Sequence, residues 1–388
     1  MKVLSIDITG KVSIYDNALF ASLLAAVTKE DEWTGLTPYR KVSNVSQWKK
    51  RLFCLIPEQK AHAHGLLKRS LKAMECLLNY IRLLALIRTY RPDVLHLQWL
   101  PFLEVNGWEV SILRWMRRLH PQMKMVLTMH NIYPHNMGED RKRHYNVRFR
   151  KASDLIDAFI VHTRISKAEV VREFGLNPMR VHVCCHGVFE PKAVTISSEY
   201  KRNGKLHILQ FGGQSYYKGT DLLVDAVCGL DDDRKKRIET HIIGGIGESF
   251  LSELKGRDKA GIIQWKPYYL SDEELYQEIN AADLIVLPYR AISQSGVLLL
   301  SIYFEKLIIC SDQPSFKETM QGDEGDVLDD VLFFKSEDVR SLRKLIMRYV
   351  DGNVEEDTVR KRVQHLRSLY SWESAAKATW DVYHSLKV

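Results

Sequence analysis

The sequence predicts an α/β protein made of two doubly wound parallel sheets. Three observations carry this. Short leucine-rich and β-branched runs alternate with segments of helical period through both halves of the chain. The alternation breaks once, at Glu190–Lys205, a polar stretch that reads as a linker, and then restarts. In the second half, two buried-type strands each run into a small-residue polar loop ahead of an apolar helix. A length of 388 residues with 45% hydrophobic content is enough for two cores.

The elements follow in order. Residues 2–8 form a short buried-type strand, and 17–27 a helix with apolar positions at helical spacing. Residues 66–90 form a long helix rich in leucine and basic residues, stopped by Arg91-Pro92. A strand at 93–99, a basic helix at 108–119 and a strand at 123–130 ending in His130-Asn131 come next. Strands at 156–162 and 181–186 flank a helix at 166–174. Beyond the linker, strands are expected at 208–211, 240–243, 262–265, 284–287, 307–310 and 331–334. A separate amphipathic helix spans 372–386. The expected domains are 1–190 and 203–371, with the helix in 372–388 packing back on the first. Sheets of this kind bind ligands at the C-terminal ends of their strands, and the two domains should face a cleft.

Charge is unevenly placed. Residues 1–190 hold 29 Lys+Arg against 17 Asp+Glu, net +12; the remainder holds 27 against 31, net −4. The basic half suits an anionic surface or substrate. No nucleic-acid motif accompanies the charge, so no nucleic-acid partner is expected. No apolar run is long enough to span a bilayer. The opening residues enter a strand pattern without a signal peptide's apolar block. The six cysteines include no C-x-x-C pair and are expected to be reduced. A cytoplasmic protein, peripheral on the inner face of the cell membrane, is the expectation.

The chemistry concentrates in two strand–loop–helix junctions. The first runs through Gly212, Gly213 and Gln214 to Lys218-Gly219. Adjacent glycines before a helix N-terminus leave amide groups and the positive end of the helix dipole free for an anion, and a lysine adds full charge. A lysine at a helix start opposes the dipole, so an anionic ligand explains it better than solvent does. The second junction runs from Pro288 through Arg290 and Ser293 to Ser295, Gly296 and Val297, with Ser301 one turn on. Two anion sites in one half suggest a bound diphosphate, hence a nucleotide-activated substrate.

The motifs F-G-G-Q-S-Y-Y-K-G-T-D-L-L, I-I-G-G at 242–245, A-A-D-L-I-V-L-P-Y at 281–289 and S-G-V-L-L-L at 295–300 resemble the nucleotide-sugar glycosyltransferases of the GT-B fold, specifically glycosyltransferase family 4. T-M-H-N at 128–131 and H-G-V at 186–188 match on the other side, in the expected order. The resemblance implies two Rossmann-like domains, the first binding the acceptor and the second the donor. It implies a sugar-contact or catalytic role for His130 and retention of anomeric configuration. Two departures stand out. Gly213 occupies the place of the family's diphosphate-binding arginine, and Ser293 and Ser301 occupy the places of its two glutamates. A branch with Y-K-G and Y-R-x-x-x-Q-S-G is closer, and in it Arg290 would supply the missing cation by bidentate clamping.

Weaker acceptor-side candidates are Lys11, His135 and Arg141, with His144 beside them and Glu104 or Asp140 as bases should the enzyme invert. No D-x-D between apolar strands occurs, so no metal and no bound cofactor is expected. The nucleotide sugar is the donor substrate, and a glycan or lipid-linked glycan in surface polysaccharide synthesis is the acceptor. Trp, Phe and Leu mixed with Lys and Arg at 48–56 and 66–90, with Trp108 and Trp115, suit an anionic membrane surface. The rival readings are a non-catalytic scaffold on the same fold and a sugar-nucleotide epimerase.

Overall fold

The computed structural model describes residues 1–46, 50–57, 66–133, 137–188, 204–292, 295–322 and 325–387. Trp48, His135, Ser293 and nearly all of the expected linker lie outside them. The chain divides into two compact units, Met1–Gly187 with Trp372–Val388, and Val188–Ser371.

The first unit contains β1 (Lys2–Ile6), α1 (Ser13–Ala25), β2 (Glu32–Leu36), β3 (Lys41–Ser43), α2 (Leu66–Tyr90), β4 (Val94–Leu97), α3 (Glu109–Leu119), β5 (Lys124–Thr128), α4 (Glu139–Ser153), β6 (Ala158–Val161), α5 (Arg164–Phe174) and β7 (Val181–Val183). Its sheet order is β3-β2-β1-β4-β5-β6-β7, parallel except for β3 on β2. The core strands are buried on both faces, as in β4 and β6, because helices cover each side. α2 turns Cys76, Tyr80, Leu83, Leu86 and Ile87 inward at helical spacing. The segment at 50–56 is not helical. It lies along α2, where Asn79 exchanges two side-chain hydrogen bonds with the Phe53 backbone and Glu75 accepts from the Leu55 and Ile56 amides.

The second unit contains β8 (Leu206–Phe211), α6 (Thr220–Cys228), α7 (Asp232–Lys236), β9 (Ile238–Ile243), α8 (Glu248–Arg257), β10 (Ile263–Lys266), α9 (Asp272–Ala281), β11 (Leu284–Leu287), α10 (Gly296–Tyr303), β12 (Leu307–Ser311), α11 (Pro314–Gln321), α12 (Asp329–Leu332), β13 (Phe333–Phe334), α13 (Val339–Val350) and α14 (Glu356–Leu369). Its sheet is wholly parallel, in the order β10-β9-β8-β11-β12-β13. Strand order reverses direction between β8 and β11, so the loops that follow these two strands flank the switch point where doubly wound sheets bind ligands.

The last helix, α15 (Trp372–Ser385), belongs to the first unit. Trp380 donates its indole N–H to the Leu23 carbonyl at the end of α1. Trp372 lies against Gly187, where a Cβ would come within 2.4 Å of the indole. The glycine of the H-G-V motif is thus required by this packing.

Several elements depart from the expectation, β2, β3 and α4 among them. β2 carries Gly35 and two polar residues in five. α4 is dominated by charged residues and lacks an apolar period. The stretch expected as a strand at 331–334 is the end of α12 followed by a two-residue strand.

Candidate functional site

In the second unit the β8–α6 loop is shaped by glycines. Gly212 has φ +93°, and a Cβ there would lie 3.1 Å from Lys218 Nζ. Lys218 therefore folds back over the glycine loop. Gly219, at φ +67°, presses on the Pro288 carbonyl so closely that a Cβ would sit 1.8 Å from the oxygen. Gly244, at φ +128°, meets the Gly212 carbonyl in the same way. These contacts lock the loops after β8, β9 and β11 together, with no room for side chains.

Lys218 is mostly buried and has no carboxylate partner among the described residues; its ammonium lies 5.4 Å from the Tyr289 ring centroid. Burial lowers its pKa. A mostly buried ammonium with no carboxylate partner among the described residues, beside a glycine loop, is a candidate for holding an anion. In the β11–α10 loop, Ser295 caps α10 by accepting from the Leu298 amide at 3.2 Å. The amides of Gly296 and Val297 carry no hydrogen bond among the described residues. They lie beside the switch point.

Three expected ligand residues are otherwise engaged. Arg290 is not a free second cation. Its two terminal nitrogens donate to the two oxygens of Asp221 at 2.8 Å each, and its guanidinium lies 3.8 Å from the Tyr216 ring centroid. Gln214 is engaged as well. Its amide donates to the Gly212 and Ile243 carbonyls and accepts from Thr220, bracing the two glycine loops. Ser301 is fully buried and donates to the Val297 carbonyl at 2.7 Å, as a hydroxyl in mid-helix does. Gly213 stays partly open, its Cβ direction facing the Tyr269 hydroxyl at 3.1 Å.

In the first unit, the ends of β5, β6 and β7 bring three histidines around Tyr15. His130, His162 and His186 have ring centroids 4.7, 5.3 and 4.9 Å from the tyrosine ring. His162 Nδ1 is 3.0 Å from the Cys184 carbonyl and must donate to it. Its Nε2 therefore accepts, 3.3 Å from His130 Nδ1, which then carries the proton. His130 Nε2 is left as a buried acceptor with no partner among the described residues. Burial depresses the cluster's pKa values: to about 4 for His162, to about 3 for His186 and well below the usual range for His130. Neighbouring histidines add to the effect on His130, and the Gln98 backbone opposes it without reversing it. All three rings are neutral at pH 7.

Lys11 lies 4.3 Å from the Trp99 ring centroid and 3.9 Å from Glu104. Trp99, Glu104 and Asn131 line one small cavity at the ends of β4 and β5. Arg141 and Asp140 stand exposed on the first turns of α4, and His144 bonds back to the Asp140 carbonyl at 2.8 Å. Sequence reasoning missed a buried acid. Asp16, at the start of α1, is fully buried, and burial first and Asp7 second push its pKa well up. It also missed His207, His241 and Glu278, whose ligand atoms lie within 4.8 Å of one another in a geometry able to hold a cation.

Two Rossmann-like units, one with a glycine loop and Lys218 at its switch point and one with a histidine cluster at its strand ends, form the two-domain architecture of the GT-B fold. Residues 59–189 match the family model Glycosyltransferase Family 4, and residues 205–351 match Glycosyl transferases group 1. The two models together take in more than half of the chain, and the chain belongs to these GT-B glycosyltransferases. A GDP-mannose:glycolipid 4-beta-D-mannosyltransferase of Xanthomonas campestris pv. campestris is 27% identical over 229 residues, 56% of this chain and 61% of the relative. The match thus spans about three fifths of the length of the curated relative. Anabaena HepE in complex with UDP superposes with a TM-score of 0.68 at 14% identity, over 99% of this chain and 100% of that one. Sucrose-phosphate synthase from Thermosynechococcus elongatus gives 0.68 at 15%, over 100% and 99%. The apo lipopolysaccharide outer core galactosyltransferase WaaB gives 0.60 at 12%, over 99% of each chain.

Proposed function

We propose that this chain transfers a hexose from a nucleotide-sugar donor to a glycolipid acceptor in surface polysaccharide synthesis. The observation that carries this is Lys218: a buried ammonium with no carboxylate partner among the described residues, folded over Gly212 at the switch point. The donor diphosphate would lie against Lys218 and the α10 amides. Charge developing on the leaving group is stabilised there without a metal, and preorganised stabilisation of this kind is commonly the largest single contribution to such catalysis. The named relative acts on GDP-mannose and a glycolipid, which supports the acceptor class.

The acceptor side rests on the first unit. His130 Nε2 offers an acceptor for a sugar hydroxyl, and Lys11, Trp99 and Glu104 offer a charged and aromatic wall. Peripheral attachment to an anionic membrane is part of this reading. Phe53, Leu55, Met74, Leu77 and Ile81 are exposed on α2 and the segment beside it, and Trp115 is 61% exposed between Arg114 and Arg118. Trp108 does not contribute, being packed 4.6 Å from Phe102 and 5.4 Å from Tyr80. No helix among the described residues is long and apolar enough to cross a membrane.

The stereochemical course separates two sources of support. The family resemblance implies retention, whereas the relative forms a β-linked mannoside. The carbon–proton coupling at the anomeric centre of the product decides between them. The test of the function is a panel of nucleotide sugars with and without a glycolipid acceptor, scoring released nucleotide. Acceptor-dependent release that is lost in Lys218→Ala is expected. No release from any donor would overturn the assignment.

A further inference from the structure

We infer that the second unit carries a divalent-cation site formed by His207, His241 and Glu278, with a donor set suited to zinc. The inference is independent of the donor-binding reading above. β8 and β9 pair in parallel with His207 opposite Glu239 and Leu209 opposite His241. Period-two alternation then puts His207, Glu239 and His241 on one face of the sheet. Glu278 comes from α9. One ligand atom from each of His207, His241 and Glu278 falls within 4.8 Å of the others. Both imidazoles are buried, at 1% and 5% exposure, while the Glu278 side chain is 17% exposed and gives a route from solvent.

Two imidazoles and a carboxylate leave a fourth, tetrahedral position for water, the usual arrangement for zinc bound by three protein ligands. The surroundings fit as well. His241 Nδ1 is 3.0 Å from Glu278 and its Nε2 is 3.0 Å from Glu239. An ion at Nδ1 would leave the Nε2 proton donated to Glu239, which also accepts from Gln264 at 2.9 Å. The other Glu278 oxygen accepts from Lys266. Metal-bound histidines commonly have such a carboxylate behind them, fixing the tautomer and the ring. A proton alone between His241 and Glu278 would give a polar bridge needing no more partners. The His207 ring, 4.2 Å from the His241 ring centroid to centroid, donates one N–H to the Ala281 backbone and offers its other nitrogen as the third donor to a cation. On binding, the His241 Nδ1 proton passes to solvent and the ion takes its place.

The ion would lie away from the donor loops, with water in its fourth position. His207 precedes Gly212 by five positions, which is ~16 Å along a strand. It would join α9 to β8 and β9, where the Asp283 amide already bonds the His207 carbonyl and the Asp283 carboxylate the His207 amide, each at 2.9 Å.

The full chain, stripped with chelator and dialysed, should be titrated with Zn²⁺ by calorimetry and with Co²⁺ by visible absorption. One tightly bound equivalent, intense tetrahedral Co²⁺ bands and a Zn²⁺-dependent rise in unfolding temperature are expected. His207→Asn, His241→Gln and Glu278→Gln should each weaken that site at least about 100-fold, and Glu239→Gln about 10–100-fold through loss of the carboxylate behind His241. Folded wild-type protein that takes up no stoichiometric Zn²⁺ overturns the site, whatever the variants do. So does unchanged affinity in a folded His207→Asn/His241→Gln pair, which would place the ion on the cysteines or elsewhere.

Discussion

Arg290 and Asp221 form a two-point ion pair, each terminal guanidinium nitrogen 2.8 Å from its own carboxylate oxygen, with both side chains about nine-tenths buried. The pair joins the β11–α10 loop to the first turn of α6. Its likeness to a diphosphate clamp is what the sequence suggests, but the protein supplies its own anion. Removing one partner strands the other, so Arg290→Ala should cost about 2–3 kcal/mol of stability, near the lower range for broken buried pairs. The Arg290→Ala/Asp221→Ala pair should recover part of that in urea denaturation. In that double variant, nucleoside-diphosphate affinity should stay within about threefold of wild type, since one neutralised pair adds little net charge to the loop. A tenfold or greater loss would restore Arg290 as a donor ligand.

Lys218 is the opposite case, a buried cation with nothing to neutralise it among the described residues. Lys218→Ala should fold normally, and it should be no less stable than wild type because a buried charge is removed. The transfer rate should fall at least about tenfold, the effect of losing roughly 2 kcal/mol of contact to a developing anion. Steady-state kinetics beside thermal unfolding checks both halves. Wild-type kinetics in the folded variant would remove the phosphate site.

Much of this architecture is legible in the sequence because parallel strands buried on both faces leave continuous apolar runs, as at Leu284–Leu287 and Leu307–Ser311. The glycine–lysine loop is legible too, since its backbone demands fall on adjacent residues. What escapes are partnerships across sequence. Asp221 lies next to the motif lysine loop, yet nothing local says it will meet Arg290. Gln214 reads as a loop amide exposed to ligand, and only the meeting of the β8 and β9 loops turns it into a brace. His207, His241 and Glu278 sit on three elements far apart in sequence, so no ligand spacing exists to be read. α4 hides because its charged residues carry no apolar stripe.

The histidine cluster makes the first unit sensitive to acid. His96, His162 and His186 are depressed to about 3, about 4 and about 3 by burial, and His130 lies well below its usual range. Unfolded histidines titrate near about 6.5. Above that pH both states are neutral and nothing changes. Below it the unfolded chain takes up protons that the folded one refuses. Stability is therefore present above about pH 6.5 and is lost as pH falls toward about 4, by up to roughly 1.4 kcal/mol per pH unit for each histidine. Urea denaturation at pH 7.5, 6 and 5 should show this slope, and His162→Gln should reduce it by about one proton. Asp16 and Glu109, whose carboxyls burial pushes up, act in the opposite direction over this range, so the comparison with His162→Gln isolates the ring: an unchanged slope in that variant would mean that His162 accepts its proton in the folded state.

Membrane attachment should map to one face of the first unit. Met74, Leu77 and Ile81 follow helical spacing on α2 and are exposed by 47%, 49% and 57%. Phe53 and Leu55, 46% and 41% exposed, belong to the segment that lies along the same helix. Apolar side chains amid the basic half of the chain suit the headgroup boundary of an anionic bilayer, where each nearby basic residue contributes about 1 kcal/mol. Leu77→Asp/Ile81→Asp replaces exposed groups and should change stability by less than about 0.5 kcal/mol. It adds two negative charges where the bilayer is negative and removes apolar contact. Cosedimentation with phosphatidylserine-containing vesicles should be strong for wild type at low salt, should weaken at high salt as the Debye length shortens, and should fall at least about tenfold in the variant. Transfer to a short soluble acceptor should be unchanged, because neither residue belongs to the site. Equal vesicle binding by the variant would move the contact to another face, with the exposed Trp115 between Arg114 and Arg118 as the next surface to alter. Absence of wild-type binding even at low salt would leave the basic half to serve a soluble acceptor.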